Sequence, residues 1–502
     1  MIQEQEQDRK ISTIIQEQEQ NGAIRPNVQG HTAFLMRVVL ISASSIALFY
    51  SLGEQLLRTW DESIYAEVAK EMLTRHSWWT LSWNFQPWVD KPPLFMWFTA
   101  LLYRCFGVSE TTSRMVGVLC GVATIWLTFE IGRRLMDDWS GFAAAFILLT
   151  NGYFIYGSRF EAINVPLACC FTLAAYGYLR VVQGESHWWY AIGAATGMAI
   201  MLKSAAGLAV PMSVGLALLL DRRFRTIRTR EVRNSALLAC AIALPWHVLM
   251  VIGHGRVFLN AYLGNVVARM EGLDSRPKPA YYYLWVYWHD FGPFALVALL
   301  GLLWHFKKRN SSIVIAIVLV VTISVSLIGS KLMAYALPAF PFISLLAAMA
   351  MQRLKAVKYA ILCAVIILPL YWFLQRDFVH LIYGEYGYVG SMNSRDEPLM
   401  RLLIQARPND HEASPTPLII CMDGFRFQKQ QAVFYGGRPV IEAFLVAPIN
   451  DTESPLEQVV TSRPTTIIIR NDLYPELANS ARYSFRVIAQ NGPLMLGQIS
   501  RL

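Results

Sequence analysis

Apolar stretches of about 18 to 22 residues recur along this chain, divided by short polar segments, and water offers no stable arrangement for so many of them. At about 1.5 Å of rise per residue, each stretch folded as a helix crosses a hydrocarbon core of roughly 30 Å. Lipid is therefore the main solvent of the fold. Composition agrees, because 55% of the 502 residues are hydrophobic, 16% are charged and the mean hydropathy is +0.36, too apolar for a soluble globule of this length.

A net charge of +9 raises nucleic acid as a partner, but the basic residues sit in short clusters between the apolar stretches, such as Arg222–Arg233 and Lys307–Lys308–Arg309. That is the positive-inside pattern of a polytopic membrane protein, and no nucleic-acid partner is predicted. Residues 1–31 are polar, carry IQEQEQ from Ile2 and again from Ile15, and do not resemble a cleaved signal peptide. They read as a disordered cytoplasmic tail. Cys120, Cys169, Cys170, Cys240 and Cys363 lie in apolar stretches without disulfide or metal spacing and read as packing residues.

Basic residues precede a first span over His31–Leu52, so the chain begins inside and emerges near Gly53. The short apolar piece Pro92–Phe106 then sets the topology. If it crossed, Arg133–Arg134, Arg222–Arg233, Lys307–Arg309 and Arg353–Lys358 would all face outward; if it does not, all four face inward. It therefore reads as a juxtamembrane helix within an outer loop, 54–112. Further spans are predicted near 113–132, 140–157, 164–182, 188–204, 205–220, 234–253, 284–304, 312–329, 333–351 and 358–376, about eleven in all with the first. The transmembrane module is then 32–379. In 380–502 charges and prolines return, and β-rich runs at Leu418–Cys421, Thr466–Ile469 and Phe485–Ala489 alternate with turn signals. This predicts a small soluble α/β domain on the outer side.

Chemistry-bearing residues crowd into the outer segments. Asp61 and Glu62 open a short amphipathic helix, with Ile64, Tyr65, Val68, Ala69 and Met72 at helical spacing. Asp61 reads equally as a helix cap and as a reactive carboxylate. In Trp88-Val89-Asp90-Lys91-Pro92-Pro93-Leu94, the prolines force an extended entry into the juxtamembrane helix and hold Lys91 at its start, either snorkelling or meeting a lipid phosphate.

With Asp61-Glu62 followed by Tyr65-Ala66-Glu67, and with Lys91-Pro92-Pro93-Leu94, the sequence resembles the bacterial aminoarabinose transferases and protein O-mannosyltransferases of the C-type glycosyltransferase superfamily. The resemblance continues in Met201-Leu202-Lys203, Leu244-Pro245-Trp246, Ser330-Lys331-Leu332, Tyr335 and Leu337-Pro338, and covers most of the chain. It implies an inverting transferase that takes a sugar from a polyprenyl-phosphate donor to a lipid, glycan or protein hydroxyl at the outer face of a bacterial plasma membrane. Such transfer needs a base for the acceptor proton and cations for the departing phosphate. The resemblance places Asp61 as the base, Glu62 as a supporting carboxylate, and Lys91 and Lys331 as donor-phosphate contacts; Lys203 reads equally as a snorkelling lysine and as a phosphate contact, and Arg269 is read from the charges of the third outer loop as a headgroup contact.

A second outer loop carries Arg159, Glu161 and Asn164. Asn164 stands where the family usually has a carboxylate, with Glu161 one helical turn earlier. A third outer loop, 254–279, holds Arg256, Arg269, Glu271, Asp274, Arg276 and Lys278, and the aromatic run Tyr281–Tyr283 and Trp285 that follows reads as an interfacial belt or a sugar platform. Asp90, Glu271 and Asp274 offer oxygen ligands to a divalent ion, yet no compact motif groups them, so a metal is left open and no cofactor is predicted. A ligase or polymerase acting on a diphosphate-linked glycan uses the same base and cations. A transporter would bury its charges mid-span instead of gathering them at one face. Without a GxxxxGK[ST] loop, a nucleotide-sugar donor is disfavoured.

Overall fold

The computed structural model describes residues 27–58, 60–160, 163–272, 278–305, 311–355, 399, 401–403, 417–421, 429–445 and 454–502. Residues 1–26 of the predicted tail (1–31), Glu161, Asp274, Lys307–Arg309 and the predicted span 358–376 lie outside these residues, whereas 27–31 of that tail are helical and begin the first helix.

The helices α1 (Asn27–Phe49), α4 (Glu110–Leu135) and α7 (Asn164–Val182) are straight and apolar enough to cross a bilayer. Between the first two, α2 (Asp61–Thr74) and α3 (Leu94–Phe106) form the outer loop. With only 13 residues α3 is about 20 Å long, too short to span, as expected of a juxtamembrane helix. Ser109 caps α4 through its Oγ, which accepts from the Thr112 amide, and Arg133 and Arg134 close its other end, where cations suit the helix dipole.

Two predicted spans are bent. The 140–157 stretch is α5 (Asp138–Leu149) and α6 (Gly152–Phe160) at 64°. The break is Asn151, whose Oδ1 accepts from the Phe154 amide at 2.8 Å and starts a new helix inside an apolar run. The 284–304 stretch is α11 (Tyr282–Phe291) and α12 (Pro293–His305) at 116°, because Gly292 takes φ 52° and Pro293 cannot donate a helical hydrogen bond. Both corrections share a cause: hydropathy does not see a single polar or glycine-proline break.

The stretches 188–204 and 205–220 fold as α8 (Trp189–Lys203) and α9 (Ala209–Leu220) joined by a 3-10 turn. Lys203 lies beside Asn164 at the start of α7, and Asp221, just after α9, bonds Tyr178 near the end of α7, so α8 and α9 run oppositely along it. A third correction concerns the outer loop after the span near 234–253. Helical structure runs over Arg230–Glu271 (α10), broken at Gly255 (φ 54°). Phe258 and Tyr262 pack back on Trp246, so the chain reverses at this glycine and an outer helix carries Arg269. Helices α13 (Ser312–Leu327) and α14 (Phe340–Arg353) complete the bundle, with a 3-10 turn over Met333–Ala339 between them. Among the described residues, six helical segments are long and apolar enough to cross a membrane, or eight if each bent pair counts as one. The predicted count of about eleven, which includes 358–376 outside the described residues, is not confirmed.

All three predicted β-rich runs are strands. Strands β3 (Leu418–Cys421), β4 (Val440–Phe444), β5 (Ser454–Pro455), β6 (Thr465–Arg470), β7 (Tyr483–Asn491) and β8 (Leu494–Arg501) form one mixed sheet in the order β5-β4-β3-β6-β8-β7, while β1 (Ser82–Trp83) and β2 (Gln86–Pro87) make a hairpin in the outer loop. Side chains alternate across the sheet. Leu418, Ile420 and Ile468 face one core, which they share with Leu57 and Ala66 of the outer loop and with α15 (Lys429–Gly436). Ile419, Cys421 and Ile467 face the other. The carboxyl-terminal sheet is thereby packed onto the back of α2.

Candidate active site

The site is built at the amino end of α2. Trp60, its N-cap, sits at φ 66° and ψ −128°, a conformation that a residue with a side chain adopts only when its surroundings impose it. The turn leaves Asp61 exposed, while Glu62, the next residue, is buried at 7% exposure. Adjacent helical residues point about 100° apart, so the two carboxylates serve different surroundings.

Glu62 faces inward. Its Oε1 accepts from Arg114 Nε at 2.5 Å and its Oε2 from the Arg58 amide at 2.6 Å. The same guanidinium donates to the Leu52, Gln55 and Leu56 carbonyls at 2.6, 2.8 and 3.0 Å. Arg58 lies over the Tyr156 and Phe160 rings, 4.6 and 3.9 Å from their centroids. Glu62 is thus a buried anchor for the segment that leads into Asp61.

Asp61 faces away from this anchor. The carboxylates of Asp61 and Asp90 both bear on the buried Tyr65 phenol; burial raises its pKa well above the ordinary value, and the two negative charges add to that. Asp90 bonds Lys91 Nζ at 2.6 Å and Arg269 Nη2 at 3.0 Å. Burial alone would raise the Asp90 carboxyl, but the Lys91 ammonium and then the Arg269 guanidinium overcome it and hold it below the usual carboxylate range. Lys91 Nζ also lies 5.2 Å from the Tyr65 ring centroid. Thus α2, the Pro92-Pro93 corner and the reversed arm of α10 bring Asp61, Tyr65, Asp90, Lys91 and Arg269 together.

A ring of cations surrounds this group. Backbone bonds from Gly329 to Met270 and from Ser330 to Arg269, both 2.9 Å, fasten the Lys331 turn to the arm bearing Arg269. Lys331 is buried and donates to the Ile328 carbonyl, and Lys278 donates to the Lys331 carbonyl at 2.8 Å. Lys203 Nζ donates to Asn164 Oδ1 at 2.6 Å and lies 4.2 Å from the Tyr335 ring centroid, and Tyr335 in turn bears on Arg269. Among the described residues, the cations here (Lys91, Lys203, Arg269, Lys278 and Lys331) outnumber the carboxylates Asp61 and Asp90. Such a surplus suits a phosphate dianion next to an exposed carboxylate.

Other predicted residues sit elsewhere. Arg159 donates to the Tyr50 carbonyl at 2.8 Å, on the Glu62 side of α2. Glu271 is exposed at the end of α10, and among the described residues no three metal-ligating side chains cluster. Asp90, one of three carboxylates considered for a divalent ion, bonds Lys91 and Arg269. Sequence reasoning missed Arg114 and Tyr435. Arg114 had a signal, an arginine one turn into an apolar helix; Tyr435 had none.

Residues 90–249 match the family of dolichyl-phosphate-mannose-protein mannosyltransferases. The chain is 27% identical over 336 residues to undecaprenyl phosphate-α-4-amino-4-deoxy-L-arabinose arabinosyl transferase 1 of Pseudomonas fluorescens, covering 63% of this chain and 60% of that one. An Aquifex aeolicus protein is 27% identical over 320 residues, covering 62% and 64%. The chain thus spans under two thirds of the length of these relatives. In structure it is similar to ArnT from Cupriavidus metallidurans bound to undecaprenyl phosphate, with a TM-score of 0.71 at 18% identity over 92% of this chain and 97% of that one.

Proposed function

We propose that this chain is a glycosyltransferase that moves a sugar from a polyprenyl-phosphate donor to a hydroxyl acceptor. In this reading Asp61 takes the acceptor proton as the oxygen attacks the anomeric carbon, with inversion. Lys91 and Arg269, aligned by Asp90, hold the phosphate that departs with the electron pair, and Lys203, Lys278 and Lys331 supply the surrounding positive potential. Glu62 supports Asp61 by anchoring the turn before it. The observation that carries the reading is the meeting of an exposed carboxylate with this cation cluster, built from segments far apart in sequence. The name of the Pseudomonas relative and the lipid bound by the Cupriavidus structure support undecaprenyl phosphate as carrier.

The orientation follows from the charge pattern: amino terminus cytoplasmic, and Asp61 with the carboxyl-terminal domain on the outer side of a bacterial inner membrane. The acceptor is a lipid, glycan or protein hydroxyl. The test is transfer of radiolabel from membrane polyprenyl-phosphate sugars, comparing wild type with Asp61→Asn and Lys91→Ala at matched expression. Both variants are expected to lose transfer; undiminished transfer in Asp61→Asn would sink the assignment.

A further inference from the structure

The carboxyl-terminal domain touches the site from behind, at the turn that sets Asp61. Tyr435 of α15 is 8% exposed, and its hydroxyl accepts from the Leu57 amide at 2.9 Å while donating to Glu110 Oε1 at 2.9 Å. One hydroxyl therefore joins the segment before α2 to the first residue of α4. One residue earlier, the Phe434 carbonyl accepts from Lys70 Nζ at 2.7 Å, and that ammonium also pairs with Glu67 at 2.8 Å. Asn84, beside the outer hairpin, exchanges two hydrogen bonds with Val440 of β4, at 2.8 and 3.2 Å. Leu57 and Ala66 lie in one apolar core with Leu418, Ala432 and Val433.

These contacts do something specific to the backbone. The segment 52–58 is not helical, and Trp60, with its positive φ, caps α2. Arg114 fixes the segment's carbonyls at Leu52, Gln55 and Leu56, but at Leu57 the fixing group is the Tyr435 hydroxyl. A strained residue persists only where its surroundings over-determine it. Removing one constraint lets the corner relax, and a shift of about 1 Å at a reacting group is enough for a rate loss of about a hundredfold.

We infer that Tyr435 is a positioning residue for transfer: the carboxyl-terminal domain, through this hydroxyl, holds Leu57 ahead of the Trp60 corner so that Asp61 meets the acceptor. Tyr435 acts through the Leu57 amide. The inference rests on the proposed role of Asp61, and two measurements keep the readings apart.

The first needs no activity. Amide hydrogen exchange of the full chain in lipid nanodiscs is compared between wild type and Tyr435→Phe. Exchange in peptides covering Leu57–Asp61 is expected to rise about tenfold or more, with strands β3, β6 and β8 unchanged. Unchanged exchange at Leu57, or faster exchange throughout the sheet, would overturn the proposal.

The second is a transfer cycle using the radiolabelled polyprenyl-phosphate pool. Tyr435→Phe is expected to lower kcat about tenfold or more while undecaprenyl phosphate still binds with wild-type stoichiometry. Added to Asp61→Asn, the same change should have no further effect, because a displaced base matters only where a base exists. An equal loss in both backgrounds would mark a merely structural residue and overturn the inference. Activity kept in Asp61→Asn alone would instead refute the base assignment.

Discussion

Arg114 offers a quantitative test of how the site is held. Its side chain is 1% exposed and that of its partner Glu62 7%, so solvent screens the pair little. Arg114→Met keeps the apolar stem and removes the guanidinium. The change leaves a buried carboxylate without its cation, which costs about 3–5 kcal/mol for a broken buried pair. It also removes donors from three carbonyls, at roughly 1 kcal/mol each where water does not replace them. Some relaxation is expected, so we predict a net loss of about 4–6 kcal/mol. Adding Glu62→Gln removes the stranded charge and should restore about 2 kcal/mol or more, leaving the orphaned carbonyls as the remainder. The assay is SDS unfolding in mixed micelles, followed by circular dichroism, for wild type, both single variants and the double. A loss under about 1 kcal/mol for Arg114→Met, or strictly additive single effects, would refute the argument that this pair anchors the turn before Asp61.

Lys91→Ala should weaken undecaprenyl phosphate binding about tenfold or more, as expected for a lost charge-assisted contact, and Lys91→Arg should restore part of it; microscale thermophoresis in nanodiscs reads both. Gly255→Ala places a side chain at φ 54° and should destabilise the fold by about 1–2 kcal/mol, with lower phosphate affinity because the Arg269 arm is re-aimed. Asp90 titrates below its ordinary 3.8 in the folded chain. Its contribution to stability is thus present above that value and is lost as pH falls through the lowered folded value. Thermal stability should drop steeply below about pH 4, and less steeply in Asp90→Asn.

The sequence was legible where charge and periodicity act alone. Positive-inside parity kept α3 from being counted as a span, and strand patterning found three strands of the sheet because alternation survives in a half-buried sheet. The Asp61 and Lys91 motifs were visible because proline corners and helix starts leave local marks. What was not legible depended on contacts across the chain. Arg269 lay in a predicted loop, and only the reversal at Gly255, sealed by Phe258 and Tyr262 on Trp246, brings it to Asp90. Glu62 was read as a supporting carboxylate, but its partner, Arg114, lies 52 residues later and left no mark near it. The bends at Asn151 and Gly292 escaped because a hydropathy window averages over the one residue that breaks a helix.

The central claim is that Asp61 acts in chemistry and the cation cluster in binding. On a single purified preparation, undecaprenyl phosphate binding and sugar transfer should therefore separate in Asp61→Asn. We predict binding within twofold of wild type and transfer reduced about 100- to 10,000-fold, the range for loss of a general base. Transfer within about tenfold of wild type, with binding intact, would contradict the account.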